Sequence, residues 1–126
     1  MRVFILEDDP SRMDKFIKEL LCDEIHHAET VEAGKTLLLE YKYDLLLLDH
    51  DLGGEQMVDS AEENTGYQLA KFIPHTQNRD TPCITHTCNP IGADNILCVL
   101  PHAVKVPFTM LDISMVGEFV EHMKGE

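Results

Sequence analysis

The amino-acid sequence predicts an α/β fold in which a five-stranded parallel sheet carries helices on both faces. Three observations lead to this prediction. Short apolar runs alternate with stretches of helical periodicity along the 126 residues. The run Leu45–Leu48 is apolar at every position, as expected for a parallel strand covered on both sides. Asp49, His50 and Asp51 follow that run at once, which places polar chemistry at a strand end.

The first part of the chain contains three strands and two helices. Val3–Leu6 is an apolar strand, and Asp9 with the following proline is a typical helix start. Ile25–Glu29 is a short second strand, Thr30 caps the second helix, and Leu45–Leu48 is the third strand. The apolar stripes of the two helices consist of Met13, Phe16, Ile17, Leu20 and Leu21, then Ala33, Leu37, Leu38 and Tyr41.

The second part begins with a polar, glycine-containing loop at about Leu52–Thr65. Helical spacing returns over Gly66–Ile73, and Pro82–Thr87 reads as the fourth strand. Asn89 with its following proline starts the next helix, and Ala103–Val106 is the fifth strand. The apolar stripes of the last two helices are Ala93, Ile96, Leu97 and Leu100, then Ile113, Val116, Val120 and Met123.

Five strand–helix units in residues 1–126 indicate a single domain with a doubly wound, flavodoxin-like sheet of strand order 2-1-3-4-5. In this order the first and third strands are neighbours. Their carboxyl ends should therefore bring Glu7, Asp8 and Asp9 close to Asp49 and Asp51. Because several carboxylates in contact cannot all stay ionised without a counter-charge, the sequence predicts a divalent cation, Mg²⁺ or Mn²⁺, at this edge.

Composition excludes several classes of partner. A formal charge of −13 opposes binding to duplex nucleic acid, which depends on Lys and Arg beside phosphates. No run approaches the roughly 18 apolar residues of a membrane span, and acids come too early for a signal peptide, so we expect a cytoplasmic protein. The four cysteines lack Cys-x-x-Cys spacing, which argues against a zinc site and against a disulfide framework.

Polar residues at the predicted strand ends resemble those of the receiver domain of two-component response regulators. Glu7 and Asp8 are similar to the receiver's acidic pair, and Asp49 to its phosphoacceptor. Thr87 is similar to its hydroxyl residue, and Lys105 to its lysine, although one residue separates Lys105 from the following proline. The resemblance covers nearly the whole chain and implies the same fold, with a Mg²⁺-type site at the acids.

Two further segments resemble a divergent receiver-like group that is predicted to process cyclic phosphates. They are Asp-His-Asp-Leu-Gly at 49–53 and His-Thr-Cys-Asn-Pro-Ile-Gly at 86–92. On this resemblance we expect Glu7, Asp8, Asp49 and Asp51 at a metal site. His50 and His86 are candidate proton carriers beside Asp49, and Asn89 at a helix start is a candidate phosphate contact.

Strand pleating constrains the histidines. If Asp49 and Thr87 face the acidic site, regular pleating places His50 and His86 on the opposite face, where they could meet each other. Strand ends often break this alternation, so the sequence leaves open which face the two histidines occupy. The alternative for both is a structural role as buried imidazoles bonded to backbone. Asn89 can likewise be only a helix cap, and Asp51 only a loop acid.

Two functions are favoured at this point, and a degenerate protein-binding module with an inert site stays open as a third. One is a metal-dependent cyclic phosphodiesterase acting on a small phosphorylated ligand or an RNA end. The other is a receiver in two-component signalling, in which Asp49 accepts a phosphoryl group, Thr87 and Lys105 contact it, and a protein partner reads the modified state.

Overall fold

The computed structural model describes residues 1–125. Strands and helices alternate from the first residues to the last, as the sequence predicts. The elements are β1 (Arg2–Leu6), α1 (Pro10–Glu19), β2 (Glu24–Ala28), α2 (Val31–Glu40), β3 (Leu45–Leu48), α3 (Gly66–Phe72), β4 (Cys83–Thr85), α4 (Pro90–Val99), β5 (Val104–Lys105) and α5 (Val116–Gly125), with single 3₁₀ turns at Ile73–His75, Phe108–Met110 and Ile113–Met115.

All strand pairings in the sheet are parallel, and the strand order is β2-β1-β3-β4-β5, which confirms the predicted flavodoxin-like topology. Leu6 lies opposite Leu48, and Leu48 lies opposite Thr85. This register decides which side chains meet beyond the strand ends.

Each face of the sheet has its own core. The alternate residues Val3, Ile5, Leu45, Leu47 and Ile84 pack against α1 and α5. Phe4, Leu6, Leu46, Leu48 and Cys83 pack against α2, α3 and α4. The two sides are called the α1/α5 face and the α3/α4 face below. A residue that follows a strand continues this alternation, so its position in the sequence decides on which face it lies.

Several element boundaries differ from the prediction. β4 ends at Thr85, two residues before Thr87, because the chain turns there into the start of α4, where the Thr87 hydroxyl accepts a hydrogen bond from the Asn89 amide. The buried edge of α1 consists of Met13 and Phe16, and Leu20 continues it at the C-cap. Ile17 and Leu21, which the periodicity also predicts to be buried, are exposed because Ile17 lies beside this narrow edge and Leu21 follows the end of the helix.

The predicted polar loop between β3 and α3 is attached to the body at several points. Asp51 and Thr65 form an isolated antiparallel bridge across its base. The Asn64 side chain accepts a hydrogen bond from the Val31 amide, and Gln68 donates to the Ser60 carbonyl. Among the described residues, no helix has the length and apolarity needed to cross a bilayer.

Candidate active site

Three polar side chains meet on the α1/α5 face, one residue beyond three neighbouring strands. Glu7 follows the last residue of β1, Asp49 follows the last residue of β3, and His86 follows the last residue of β4. The parallel hydrogen bonding continues past the ends of the strands. The Asp49 amide donates to the Leu6 carbonyl, and the His86 amide donates to the Leu48 carbonyl, both at a distance of 3.0 Å. The resulting Glu7–Asp49–His86 cluster is buried, with each side chain at most 1% exposed.

Glu7 is an ionised carboxylate held by several donors. Its Oε2 accepts hydrogen bonds from the Asp8 and Asp9 amides, and its Oε1 lies 2.9 Å from His86 Nε2. Burial by itself would raise the pKa of Glu7, but His86, the Asp9 amide and Arg12 together hold that pKa below its ordinary value. Glu7 therefore supplies a fixed negative charge to the cluster.

Asp49 is in the opposite situation. Its Oδ1 accepts a hydrogen bond from the His50 amide at 2.8 Å, but its buried Oδ2 has no hydrogen-bond partner among the described residues. Burial, and next the negative charge of Glu7, raise the pKa of Asp49 to about 8. A carboxyl group with an unsatisfied oxygen beside a carboxylate is a position where a cation would be stabilising.

His86 is oriented by its neighbours. Because a carboxylate only accepts hydrogen bonds, the short contact to Glu7 places a hydrogen on Nε2. The ring packs edge-on against Phe16 and Phe108, and its buried Nδ1 has no partner in the described part of the chain. Nδ1 is therefore free to take up a proton or to bind a ligand.

The cluster fits a divalent cation. One ligand atom from each of Glu7, Asp49 and His86 can be chosen so that all lie within 4.8 Å of one another. Carboxylate oxygens are ligands that divalent cations such as Mg²⁺ prefer, and the unpartnered Asp49 Oδ2 is a free ligand atom. Glu7 and Asp49 were predicted as ligands from the sequence, whereas His86 was predicted only as a proton carrier.

The other two predicted ligands hold the loop instead of joining the cluster. Asp8 Oδ2 accepts a hydrogen bond from the Gly54 amide at 2.7 Å. Asp51 accepts hydrogen bonds from the Met57 amide at Oδ2 and from the Val58 amide at Oδ1. Both carboxylates thus accept hydrogen bonds from backbone amides of residues 52–58 and hold this loop over the site.

A cavity of about 340 Å³ opens directly above Asp49. Its lining comes from the start of α1, the loop after β3, the residues after β4 and the turn after β5. The lining residues are Arg12, Asp49, Asp51, Glu55, Gln56, Met57, Thr87, Cys88, Phe108 and Thr109. This volume is in the range of small-molecule sites.

Arg12 is the site residue that the sequence analysis missed. Its guanidinium lies over the Phe108 ring, with Nε 3.8 Å from Glu7 Oε1 and 3.7 Å from Asp9 Oδ2. Burial alone would lower the pKa of Arg12, but Glu7, Asp49 and Asp9 keep that pKa above its ordinary value. The sequence did contain a signal, because Arg12 occupies the first turn of the helix that follows the acidic end of β1.

Of the predicted phosphate contacts, the structure brings only Thr87 into the cavity lining. Lys105 extends to the α3/α4 face and donates to Asp94 Oδ1 on α4 at 2.7 Å, while Val106 packs on the α1/α5 face. Val106, the extra residue between Lys105 and the proline, thus moves the Lys105 ammonium group away from the site, while the turn after β5 keeps its place. Asn89 is the N-cap of α4, its Oδ1 accepting from the Gly92 amide, as the structural alternative predicted.

The face expected from regular pleating is wrong for His86, which lies on the same face as Asp49. His86 belongs to the acidic face because it lies beside Asp49 in the register, while the shorter β4 frees Thr87 from the alternation. His50 does lie on the opposite face, where its Nδ1 is 2.8 Å from Asp51 Oδ1 and its Nε2 is 2.8 Å from Ser60 Oγ. The two rings do not converge on one cavity.

Asp49 makes the stability of the metal-free protein depend on pH. Its pKa is raised on folding, so its contribution to the free energy of unfolding is fully present below about pH 4 and is lost as the pH rises through about 8. Between about pH 6 and about pH 8, this contribution should fall by up to about 1.4 kcal/mol per pH unit. Urea unfolding in a chelator measures this slope, and subtracting the slope of Asp49→Asn removes the titration of other groups. Equal slopes in both proteins would show that Asp49 is already ionised.

Comparison with known proteins gives a match in sequence and many in structure. The family model described as a cyclic-phosphate processing receiver domain matches residues 3–102. No curated protein matches the chain.

Several similar solved structures are receiver domains or response regulators. A signal receiver domain of an HD domain-containing protein from Pseudomonas fluorescens has a TM-score of 0.76 at 17% identity, covering 99% of this chain and 98% of that one. A CheY-like receiver domain protein from Methanospirillum hungatei has a TM-score of 0.73 at 18% identity, covering 98% and 96%. The response regulator TrrA from Thermotoga maritima, solved in complex with Mg²⁺ and BeF, has a TM-score of 0.65 at 21% identity, covering 97% of each chain. At these identities the likeness shows the fold.

Proposed function

This chain belongs to the cyclic-phosphate processing receiver domain family, and we propose that it hydrolyses a cyclic phosphate on a small nucleotide or an RNA end with the help of a divalent cation. The observation that carries the proposal is the unpartnered, buried Oδ2 of Asp49. Asp49 lies beside Glu7 and His86, and it lines a cavity that Arg12 also borders.

Glu7 and Asp49 would hold the cation through their carboxylate oxygens, with His86 beside them. Mg²⁺ and Mn²⁺ are the candidates, since both prefer carboxylate oxygens. When bound, the cation supplies positive charge that offsets the charge on the phosphoryl oxygens. It would also keep Asp49 ionised at neutral pH, because a cation lowers the pKa of a neighbouring carboxyl group that is otherwise raised to about 8.

The protein's own contribution to phosphate binding is Arg12. It is the only basic residue among those described as lining the cavity, and it remains partly accessible, with 28% of its side chain exposed. A guanidinium can donate two parallel hydrogen bonds to phosphate oxygens. The Thr87 side chain lies in the same lining and adds a hydroxyl group.

His86 is the residue suited to move a proton. Its Nε2 hydrogen is held by Glu7, so Nδ1 can accept a proton from the water that attacks phosphorus. One ring P–O bond then breaks, and the product is a phosphate monoester with a free hydroxyl group, protonated from solvent at the cavity mouth. His50 is not included in this mechanism because both of its ring nitrogens are engaged on the opposite face.

The signalling alternative has weaker support. A phosphorylated Asp49 would need a nearby ammonium for charge neutralisation, but Lys105 is engaged with Asp94 on the α3/α4 face. Incubation with a small phosphodonor, followed by intact-mass measurement, separates the two functions. Rapid stoichiometric labelling that is lost in Asp49→Asn would make the receiver function the better account.

The direct test is a panel of 2′,3′- and 3′,5′-cyclic nucleotides and oligonucleotides ending in a cyclic phosphate, each assayed with Mg²⁺, with Mn²⁺ and with a chelator. We expect turnover of at least one member with metal and none with the chelator. Failure of folded, metal-loaded protein to turn over any member would contradict the proposal.

Arg12 provides a more specific prediction. Arg12→Ala should raise KM by about 10- to 100-fold, because it removes charged hydrogen bonds worth about 1.5–3 kcal/mol. Arg12→Lys should recover part of this loss, since it keeps the charge but not the paired donors. Lys18→Ala on the exposed side of the same helix is the control and should leave KM unchanged. Unchanged KM in Arg12→Ala would remove Arg12 from the site.

A further inference from the structure

A second group of catalytic-type side chains is centred on His50, which lies on the α3/α4 face and takes no part in the proposed cyclic-phosphate mechanism. His50 Nε2 is 2.8 Å from Ser60 Oγ, and His50 Nδ1 is 2.8 Å from Asp51 Oδ1. A hydroxyl, an imidazole and a carboxylate therefore stand in series, each within hydrogen-bond distance of the next. This is the arrangement by which an imidazole activates a serine as a nucleophile.

The hydrogen-bond directions in this series are consistent. Asp51 accepts only, so His50 Nδ1 carries the hydrogen and Nε2 is left to accept the Ser60 hydroxyl hydrogen. Asp51 Oδ1 is held in place by the Asn89 side-chain amide at 3.0 Å and by the Val58 amide at 3.2 Å. The tautomer with its hydrogen on Nδ1, which leaves Nε2 to act as the base, thus fits these contacts.

The packing around His50 fixes the ring in this orientation. The ring is fully buried, and it lies so close to Gly92 that a Cβ at this position would be 2.5 Å from His50 Cγ. Any larger residue at 92 would have to displace the imidazole. Gly92 therefore leaves the space in which His50 can lie between Asp51 and Ser60.

Ser60 also borders a cavity. A space of about 300 Å³ opens beside it, lined by Met57, Val58, Asp59, Ser60, Asn89, Ile91 and Asn95. The Asn95 side-chain amide donates to Ser60 Oγ at 2.8 Å. This hydrogen bond helps to orient the Ser60 hydroxyl group, whose own hydrogen is directed to His50 Nε2.

We propose that Ser60 is the nucleophile of a second active site, which accepts small neutral carboxylic esters. The described lining contains apolar side chains, amides and one acid but no basic residue, so a neutral carbonyl group suits it better than a phosphate. His50 and Ser60 are the catalytic residues, and Asp51 is a positioning residue that acts through His50.

The reaction balances with the ester and water as the only reactants. Ser60 Oγ forms a bond to the carbonyl carbon while its proton moves to His50 Nε2. The bond between that carbon and the alkoxy oxygen then breaks, and the leaving oxygen takes the proton from Nε2 and departs as an alcohol. Water attacks the acyl-serine in the same way, which releases a carboxylic acid and restores the Ser60 hydroxyl group.

Labelling with a fluorophosphonate probe tests the proposal, because Ser60 Oγ would displace fluoride and keep the phosphonyl group. The reaction is run on the full chain in a chelator, so that failure of the metal-dependent activity cannot affect the outcome. We expect one label per chain, located on Ser60 by peptide mass spectrometry of the wild-type protein, at a rate at least about 100-fold above that of Ser114. Ser114 is the matched internal control, since its hydroxyl contacts a carboxylate without a histidine. Hydrolysis of p-nitrophenyl acetate should show a burst that Ser60→Ala removes and Ser114→Ala keeps.

Asp51→Asn tests the positioning role. It should slow labelling by on the order of 100-fold, and the ¹⁵N chemical shifts of His50 should show loss of the Nδ1–H tautomer, which a role confined to loop attachment would leave unchanged. Labelling of Ser60 no faster than of Ser114 in the wild-type protein would overturn the proposal. A burst that persists in folded Ser60→Ala would overturn it as well.

Discussion

Asp49→Asn is expected to reduce metal-dependent turnover of a cyclic phosphate by on the order of 1,000-fold, since a cation at the reacting phosphate is worth several kcal/mol. The substitution removes the negative charge while keeping the shape of the side chain. It also converts the carboxylate that carries the unpartnered Oδ2 into an amide group, which binds a cation less strongly than a carboxylate does. Calorimetric titration with Mg²⁺ or Mn²⁺ should show a matching loss of affinity.

The control for this prediction is Asp80→Asn. Asp80 is an exposed acid whose carboxylate lies beside Arg79, away from the cavity. It changes the net charge by the same amount as Asp49→Asn, so any general effect of charge on cation binding appears in both variants. Equal cation affinity and equal turnover in the two variants would remove Asp49 from the metal site.

Gly66→Ala is expected to destabilise the protein by about 3 kcal/mol or more, because a methyl group at this position has no space. A Cβ on Gly66 would lie 1.9 Å from the Asp49 carbonyl oxygen and 2.9 Å from His50 Cα. The Gly66 amide also donates to the His50 carbonyl at 2.9 Å, which ties the start of α3 to the residues after β3. The clash is with backbone, so a change of side-chain rotamer cannot relieve it.

Gly117→Ala in α5 is the matched control. No atom lies within 4 Å of a Cβ at this position, and alanine favours the helix over glycine by about 1 kcal/mol. Urea unfolding of both variants should therefore give shifts of opposite sign. A Gly66→Ala protein as stable as the wild type would mean that the close approach to Asp49 relaxes without cost.

The amino-acid sequence was sufficient to predict the strand order and one edge of the site. Apolar runs separated by helical periodicity allow few parallel topologies, because connections are right-handed and short. Once β1 and β3 are neighbours, Glu7 and Asp49 must lie close together, since both directly follow their strands. The resemblance to receivers, read from residues at these strand ends, was confirmed by the family match over residues 3–102.

The sequence could not decide which face each neighbouring polar residue occupies. Side chains alternate between the two faces of a sheet, so an error of one residue in strand length or register reverses the assignment. Here β4 ends at Thr85, and this places His86 with Asp49 and frees Thr87 from the alternation. The position of Lys105 on the far face follows from the same rule.

Tertiary structure alone decided the contacts made by the loop and by the helix starts. Asp8 and Asp51 accept hydrogen bonds from loop amides, and Arg12 of α1 lines the cavity. Ser60, within the long loop between β3 and α3, contacts His50. These contacts depend on the path of the chain between regular elements, for which side-chain periodicity carries no information. The sequence by itself thus determined the sheet and the convergence of its strand ends, because hydrophobic burial is periodic. The packing of the loop and helices then decided which polar groups form each site, because that choice depends on three-dimensional proximity.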